Sequence, residues 1–284
     1  MLSWKKLSAK NKENYLNPKK AVIDHPKLQL LATKKAEQYR RKYKNSYINI
    51  PYGRRKKQKL DIFVPKNFKN CAVQVYFHGG YWIARDKFDH SHLAKPAVEN
   101  KIIHVSVNYD LCPEVTLNII VKEAQECIEW IFKNIKTYGG NPNNINLVGH
   151  SAGAHLVAMI LTKKYKKLPS NIIKSVVLIS GIYQPEITRY ISINSIIKLS
   201  KKNAYKTNVY NYNIINKTKA LVVVGGLEPA AWISLSKNIL KWLDLNKVEY
   251  NFLLAKNLNH FTIIRELSIK NSKIAKTVIA MIEK

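Results

Sequence analysis

Apolar positions in the chain follow two different spacings, which predict alternating helices and strands. Residues 24–43 carry apolar side chains at helical spacing with charged residues between them, a pattern that predicts an N-terminal helix packed on a sheet. Two short alternating runs, SYINIPYG and QKLDIFVP, lie around a Pro-Tyr-Gly turn. They predict an antiparallel hairpin at one edge of the sheet.

Strand and helix patterns alternate through the rest of the chain. We predict strands at 72–77, 102–108, 145–148, 175–180, 220–224 and 249–254. We predict helices at 87–100, 117–138, 152–164, 230–246 and 268–283. Pro96 is expected to kink or shorten the first of these helices. Continuous apolar strands are typical of a parallel sheet covered on both faces, so the predicted fold class is α/β, with a mostly parallel central sheet and helices on both faces.

One segment departs from this alternation. Residues 182–217 are rich in Tyr, Asn and Ser and show weak periodicity, which predicts a small helical lid inserted over the strand ends. No linker-like stretch divides the 284 residues. We therefore predict one domain over residues 1–284, with 182–217 as a cap or lid insertion.

The formal net charge of +30 raises the question of a nucleic-acid or anionic-surface partner. Lysines are scattered along almost the whole chain together with abundant Asn and Ile, which indicates a general substitution bias on solvated faces. The densest basic run, at residues 54–59, fits an exposed hairpin turn. We therefore expect a small-molecule substrate rather than nucleic acid as the partner, and a homodimer is left open.

Three further observations concern the cellular compartment. No apolar run approaches the roughly 18 residues that span a membrane, so no membrane association is expected. The first twelve residues lack the apolar core of a signal peptide, although their basic character leaves a mitochondrial leader open. Cys71, Cys112 and Cys127 have no CxxC spacing and suit a reducing environment. A soluble, cytoplasmic protein is expected.

The stretch LVGHSAGAH at residues 147–155 carries the strongest candidate chemistry. An apolar strand ends there, and Gly149 and Gly153 flank Ser151 at i−2 and i+2, the spacing of a nucleophile elbow. A sharp turn from strand to helix strains its central residue, and small flanking residues let the two elements approach closely. Ser151 would project beside helix N–H groups that favour a developing oxyanion. Ordinary strand-to-helix turns also collect small residues, so the pattern alone leaves both interpretations open.

A serine nucleophile needs a base, and the base needs an acid partner, in the chain order Ser, acid, His. Glu228 and His260 follow two successive predicted strands after the elbow, so all three candidates stand at expected places. Each of the two, taken alone, also fits a solvated charge or a packed residue. Asp110 and Asp244 are weaker candidates for the acid, because Asp110 follows an earlier strand and Asp244 lies inside a predicted helix.

The motif HGGYW at residues 78–82 supplies candidate oxyanion donors. The paired Gly79 and Gly80 follow a central strand and allow the backbone to fold close to the Ser151 hydroxyl. The N–H groups of Gly80 and Tyr81, together with that of Ala152, would then point to one spot, as a tetrahedral oxyanion requires. A tight loop between a strand and a helix is the alternative interpretation.

The remaining polar and aromatic residues of these motifs are assigned to supporting roles. His78 braces the loop, and Trp82 lines the pocket or packs under the lid. His150 and His155 flank the nucleophile and are assigned to packing or to hydrogen bonds that support it. No pair of histidines has metal-binding spacing and no Gly-rich loop fits a phosphate cradle, so no metal and no cofactor are expected.

Together these motifs resemble the kynurenine formamidases, or arylformamidases, of the α/β-hydrolase superfamily, relatives of the hormone-sensitive-lipase-like esterases. HGGYW, NYDLCPE, GHSAGAHL, LVVVGGLEP and NHF carry the resemblance, which extends over nearly the whole chain and includes ENYLNP near its start. It implies an α/β-hydrolase fold with Ser151 as nucleophile and His260 as base. The family's acid is ordinarily Asp, where this chain has Glu228, and Asn259 stands where an Asp often precedes the histidine.

The resemblance implies a serine hydrolase that converts N-formyl-L-kynurenine to L-kynurenine and formate in tryptophan degradation. A small-acyl carboxylesterase that uses the same Ser-Glu-His triad is the first alternative. The second is an inactive hydrolase fold that binds polyanions, suggested by the charge of +30 and by the altered residues around Glu228.

Overall fold

An eight-stranded sheet forms the centre of the described part of the chain. The computed structural model describes residues 7–165, 168–169, 171–216 and 218–283. The strands are β1 Ser46–Pro51, β2 Lys59–Phe63, β3 Cys71–Phe77, β4 Ile103–Val107, β5 Gly140–His150, β6 Ile173–Ile179, β7 Lys219–Gly225 and β8 Tyr250–Ala255. Their order in the sheet is β1-β2-β4-β3-β5-β6-β7-β8. β2 is antiparallel to β1 and β4, and the other neighbours are parallel, so the predicted edge hairpin and mostly parallel sheet are confirmed.

Helices cover both faces of this sheet. They are α1 Ala9–Leu16, α2 Pro18–Ala21, α3 His25–Lys42, α4 Ala94–Glu99, α5 Leu117–Asn134, α6 Ala152–Leu161, α7 Asn194–Ile197, α8 Lys201–Lys206, α9 Ala230–Leu245, α10 Thr262–Arg265 and α11 Lys273–Glu283. Successive residues of a strand point to opposite faces. Leu147 of β5 accordingly packs in a core with α5, α6 and α9, whereas Val148 packs in a second core with α4 and α11. The predicted covering of both faces is confirmed.

Two of the predicted helices begin later than predicted, and those predicted at 117–138 and 152–164 end earlier, at residues 134 and 161. The segment predicted as a helix at 87–100 begins as a 3-10 helix over Lys87–Leu93, and α4 follows it. Pro96 lies in the first turn of α4, where backbone N–H groups have no partner inside the helix, so its missing donor costs little. Helix α11 begins later than predicted, because the Ser272 hydroxyl accepts a hydrogen bond of 3.0 Å from Ala275 N and caps its first turn.

Helix α3, predicted from the pattern at 24–43, is tied to the sheet by a buried carboxylate. The side chain of Asp61 on β2 is fully buried, and its oxygens contact Arg40 Nη1 of α3 and, at 3.0 Å, Lys87 Nζ. Asn49 N donates a further hydrogen bond of 2.7 Å to Asp61 Oδ1. A buried carboxylate needs such partners to offset its desolvation. The ion cluster therefore fixes α3 relative to β2 and to the 3-10 helix after β3.

Short helices fill the segment predicted as a lid. Residues 182–216 contain a 3-10 helix over Pro185–Tyr190, then α7, α8 and a second 3-10 helix over Val209–Asn211, while residue 217 lies outside the described residues. Glu13 of α1 accepts hydrogen bonds of 2.8 Å from both the backbone N and the hydroxyl of Ser192. The N-terminal helices and this segment are thus in direct contact. In the described part of the chain, no helix has the length and apolar character that a membrane crossing needs.

Candidate active site

The turn between β5 and α6 holds Ser151 in a strained backbone conformation. β5 ends at His150, α6 begins at Ala152, and Ser151 between them has φ 55° and ψ −117°. A positive φ is costly for a residue with a side chain and persists only where surrounding contacts impose it. Here Ser151 N donates to Ile179 O at 2.9 Å, and Ala154 N donates to Ser151 O at 3.1 Å. The turn therefore has the sharp strand-to-helix geometry that the glycine spacing predicts.

Close backbone contacts require glycine on both sides of this serine. A Cβ atom on Gly149 would lie 2.4 Å from Gly153 O, and one on Gly153 would lie 2.0 Å from Phe77 O on β3. A Cβ atom on Gly79 would lie 3.0 Å from Ser151 Cβ. The strand, the helix and the HGGYW loop can therefore approach the serine only because these three residues lack a side chain.

Gly153→Ala should destabilise the fold by about 3 kcal/mol or more. Alanine is favoured over glycine inside a helix by roughly 1 kcal/mol, but a contact of 2.0 Å with a backbone oxygen outweighs this gain, because β3 must move. Urea unfolding of the variant and the native protein measures the difference. Gly139→Ala is the control: Gly139 has φ 84° and a nearest contact of 3.4 Å, so backbone strain alone should cost about 1 kcal/mol. Equal decreases in the free energy of unfolding of Gly153→Ala and Gly139→Ala would contradict the steric argument.

Three side chains from separate loops meet at the carboxyl edge of the sheet. Ser151 follows β5, Glu228 follows β7 and His260 follows β8. His260 Nε2 lies 3.0 Å from Ser151 Oγ, and His260 Nδ1 lies 2.7 Å from Glu228 Oε2. All three residues are buried, with 5% exposure or less. The fold thus brings together the serine, the acid and the histidine that the motif order selects.

The second oxygen of the Glu228 carboxylate is held by the turn that carries it. Oε1 accepts a hydrogen bond of 2.9 Å from Gly225 N and another from the Ser180 hydroxyl. Glu228 N in turn donates to Gly225 O at 3.2 Å, so a tight turn draws the carboxylate back towards the end of β7. This folding back accommodates the methylene by which Glu is longer than Asp.

Ser180 is a contact that the sequence motifs do not reveal. It directly follows β6, the neighbour of β7 in the sheet, and has φ 48°. Its position in the chain is the available signal, because residues directly after adjacent parallel strands meet at one edge of the sheet. A serine after β6 therefore stands beside an acid after β7. Its hydroxyl bond restricts the rotation of the Glu228 carboxylate.

Aromatic rings and a backbone contact enclose His260. The Trp232 ring centroid lies 4.4 Å from the His260 ring, and the His150 ring centroid lies 4.8 Å from it. His150 Nε2 donates a hydrogen bond of 3.0 Å to the His260 carbonyl oxygen. Burial lowers the pKa of His150 well below its usual range, so a neutral ring lies beside His260.

Asn259, which replaces the Asp that often precedes the histidine in the kynurenine formamidases, shapes the loop before α10. Its Oδ1 accepts hydrogen bonds of 2.9 Å from both Phe261 N and Thr262 N. An amide oxygen accepts these bonds as a carboxylate oxygen would. The change from Asp to Asn therefore leaves the backbone of the His260 loop capped.

The HGGYW loop approaches Ser151 from the end of β3. Gly80, Tyr81 and Trp82 have φ values of 118°, 51° and 59°, so three successive residues adopt left-handed backbone conformations. Gly80 and Tyr81 line the same cleft as Ser151. Ala152 lies in the first turn of α6, where N–H groups have no partner inside the helix. Two of the three residues predicted to donate to the oxyanion thus line the cleft with Ser151, and the third directly follows Ser151 in the chain.

His78 and Trp82, at the two ends of the motif, are fully buried and support the loop. His78 Nδ1 lies 2.8 Å from the carbonyl oxygen of the next residue, and its ring stacks on Tyr109 at 4.4 Å. The Trp82 ring packs edge-on against His155 at 5.1 Å, and His155 Nε2 donates to a backbone oxygen of the 182–217 segment at 2.7 Å. Of the two places predicted for Trp82, the structure favours packing beneath that segment.

Ser151 and His260 open into a cleft with about 830 Å³ of empty space, part of which is open to solvent. Several of its described lining residues belong to the N-terminal helices, namely Pro18, Lys19, Leu28, Gln29 and Ala32. The segment at 182–217, predicted as the cover, contributes Ile193. The sequence pattern of α3 predicts a helix that packs on the sheet. It does not predict that apolar residues of this helix line the cleft beside Ser151, as the structure shows. Over the residues that the structure describes, no group of three or more His, Cys, Asp or Glu side chains is arranged for a metal ion.

This chain is similar in sequence to known proteins. A family model described as alpha/beta hydrolase fold matches residues 74–231, which contain the HGGYW loop, Ser151 and Glu228. Kynurenine formamidase from Danio rerio is 26% identical over 298 residues, which cover 100% of this chain and 100% of that protein. Kynurenine formamidase from Salmo salar is 29% identical over 219 residues, 73% of this chain and 72% of that protein. The predicted resemblance to kynurenine formamidases is confirmed.

A solved structure has a similar fold. The crystal structure of a protein from a Silicibacter species, provisionally named a thioesterase, has a TM-score of 0.83 to this chain at 25% identity. It covers 96% of this chain and 98% of its own. The mostly parallel sheet, the helices on both faces and the matched residues lead to one conclusion. The chain belongs to the alpha/beta hydrolase family.

Proposed function

We propose that this chain is a serine hydrolase that converts N-formyl-L-kynurenine to L-kynurenine and formate. The observation that carries the proposal is the relay of Ser151, His260 and Glu228, with 3.0 Å and 2.7 Å between the partner atoms, beside a cleft. The substrate is supported by similarity to a kynurenine formamidase over the full length of the chain. The chemistry and the substrate can be tested separately.

Acylation begins when His260 Nε2 accepts the proton of Ser151 Oγ while that oxygen attacks the formyl carbon. The electron pair of the C=O bond moves to the carbonyl oxygen, which becomes an oxyanion. The N–H groups of Gly80, Tyr81 and Ala152 donate hydrogen bonds to this oxyanion, and the dipole of α6 assists the last of them. Donors held in place before the substrate arrives keep the reorganisation in the transition state small, and the positive φ values of Gly80 and Tyr81 support such a fixed loop.

The first tetrahedral intermediate collapses when His260 gives its proton to the arylamine nitrogen. The C–N bond breaks, L-kynurenine leaves, and Ser151 carries a formyl ester. A water molecule then gives a proton to His260 Nε2 and attacks the ester carbonyl. The second intermediate releases formate, and the proton returns to Ser151 Oγ.

Glu228 stabilises the positive charge that His260 carries in both steps. Its carboxylate, 2.7 Å from Nδ1, holds the tautomer that has its proton on Nδ1 and leaves Nε2 free to accept. The bonds from Gly225 N and the Ser180 hydroxyl keep the carboxylate in this orientation. Glu228 thereby takes the role that Asp ordinarily has in the kynurenine formamidases.

A small-acyl carboxylesterase is the second candidate. The same relay attacks an ester carbonyl, which has a better leaving group than an amide. Structural similarity to a protein provisionally named a thioesterase favours this candidate. An inactive fold that binds polyanions is the third, and it requires that Ser151 be unreactive.

Two substrate classes separate these candidates. The proposal predicts saturable release of L-kynurenine from N-formyl-L-kynurenine, measured by the absorbance of the product, with slower side activity on short 4-nitrophenyl esters. Rapid hydrolysis of the esters without hydrolysis of the formamide would instead favour the carboxylesterase. Hydrolysis of neither, together with salt-dependent retention on nucleic acid, would favour the binding module.

A further inference from the structure

Two cationic side chains line the catalytic cleft, and no carboxylate is among its described lining residues. They are Lys19 and Arg85, which line the cleft with Ser151. An adjoining cavity of about 520 Å³ shares part of this lining and adds Lys35 and Arg265, again with no acid among the described residues. Cations that face a concave, partly apolar pocket favour an anionic ligand.

Arg85 differs from the other three cations in its burial. Lys19, Lys35 and Arg265 are exposed, whereas the Arg85 side chain is 20% exposed. Arg85 Nε lies 3.4 Å from Asp89 Oδ2. A guanidinium has five N–H donors in a planar fork, so its two terminal nitrogens stay available to a ligand that enters the cleft. Shelter from water makes such a contact stronger than one to an exposed lysine.

The backbone around Arg85 holds this side chain in place. Arg85 has φ 78°, a conformation that a residue with a long side chain adopts only where its surroundings impose it. Asp86 and Asp89 form a capping box at the start of the 3-10 helix that follows. Asp89 also accepts a hydrogen bond of 2.7 Å from Thr33 Oγ1 of α3. One carboxylate therefore ties Arg85 to the cap and to the helix that covers the cleft.

A neutral histidine lies in the same part of the cleft. His90 lines both cavities and is 6% exposed. Burial and, after it, the charge of Arg85 lower the pKa of His90 well below its ordinary range. His90 therefore offers a polar ring without adding charge, and Arg85 is the sheltered cation of this region.

We propose that Arg85 binds a carboxylate on the leaving part of the substrate and so selects substrates with an anionic leaving group. The inference deepens the proposed function and rests on it, because N-formyl-L-kynurenine carries its carboxylate on the part that leaves. A formyl group has one carbon, so most of a cleft that extends from Ser151 to α2 and α3 is left for the leaving part. Arginine and carboxylate form paired, geometrically specific hydrogen bonds.

Substrate pairs that differ only in charge test this inference. One pair is N-formyl-L-kynurenine and its carboxamide; the other is 3-(4-acetoxyphenyl)propanoate and its carboxamide. For Arg85→Gln we expect kcat/KM on the carboxylates to fall by about tenfold to 100-fold through KM, with the carboxamides changed by less than about twofold. Arg85→Lys should recover part of the loss. Lys20→Gln removes the same charge from an exposed position of α2 that is not among the described lining residues, and it should change kcat/KM by less than about twofold.

If Arg85→Gln lowered kcat/KM equally on the carboxylates and the carboxamides, the inference would be overturned. An unchanged KM of this variant for both carboxylates would overturn it too. The acetoxy pair separates this outcome from the proposed function, because a protein that hydrolyses these esters but not the formamide contradicts the function and still reports on Arg85. Calorimetric binding of 3-(4-hydroxyphenyl)propanoate and its carboxamide gives the same comparison without turnover. Thermal unfolding of each variant checks that the fold is intact.

Discussion

Ser151→Ala is expected to reduce turnover of N-formyl-L-kynurenine by roughly 10⁴-fold to 10⁶-fold, with the fold intact. The hydroxyl supplies the attacking oxygen, and without it His260 Nε2 has no nucleophile 3.0 Å away. Alanine occupies the same strained φ of 55° without adding atoms, so the free energy of unfolding should change by less than about 1 kcal/mol. Product absorbance and urea unfolding measure the two quantities.

Ser236→Ala is the matched control for this variant. Ser236 is also a fully buried serine, but it lies on α9 and is not among the described residues that line the cleft. Its removal should leave kcat and KM within about twofold of the native values. A Ser151→Ala protein that turns over the formamide at the native rate would refute the proposed mechanism.

Glu228→Gln should lower kcat by roughly 10³-fold to 10⁴-fold with little change in KM. Glutamine has nearly the same shape, and its amide oxygen can still accept the bonds from Gly225 N and Ser180. Its NH₂ group would then face His260 Nδ1 and favour the tautomer with its proton on Nε2, which cannot accept the serine proton. The negative charge that stabilises the imidazolium is also lost. Steady-state kinetics on N-formyl-L-kynurenine separate kcat from KM.

Glu228→Asp is the informative companion, because it keeps the charge and shortens the side chain. The Glu228 carboxylate contacts both Gly225 N and His260 Nδ1. The shorter Asp side chain cannot reach both atoms from the same backbone position, so we expect kcat to fall by about tenfold. A Glu228→Gln protein within tenfold of the native rate would mean that another group acts as the acid. Asp110 lies 3.7 Å from Arg55, and Asp244 accepts from the Tyr250 hydroxyl at 3.3 Å, so neither stands beside His260.

Features that depend on chain order alone could be predicted from the sequence. The elbow rests on five consecutive residues around Ser151, and the places of Glu228 and His260 beside it follow from the order of the parallel strands. The alternation of continuous apolar strands with amphipathic helices likewise predicts a sheet covered on both faces. These inferences need only local pattern and topology.

Features that depend on which distant segments meet have no sequence motif of their own. Ser180 becomes a partner of Glu228 only because β6 and β7 are neighbours in the sheet. The pattern of α3 gives its apolar face, but its place beside the cleft depends on the buried ion cluster of Asp61. The sequence does not separate Arg85 from the many other basic residues of the chain. Its low exposure and its position in the lining of the cleft are seen only in the structure.

The most direct test of the proposed mechanism is the site at which a fluorophosphonate reacts, located by mass spectrometry of peptides from the native protein and from His260→Gln. We predict one phosphonyl group on Ser151 of the native protein and labelling slower by about 10³-fold or more in the variant, because no base then takes the serine proton. An unlabelled Ser151 in folded native protein, or labelling that is as fast without His260, would contradict the mechanism.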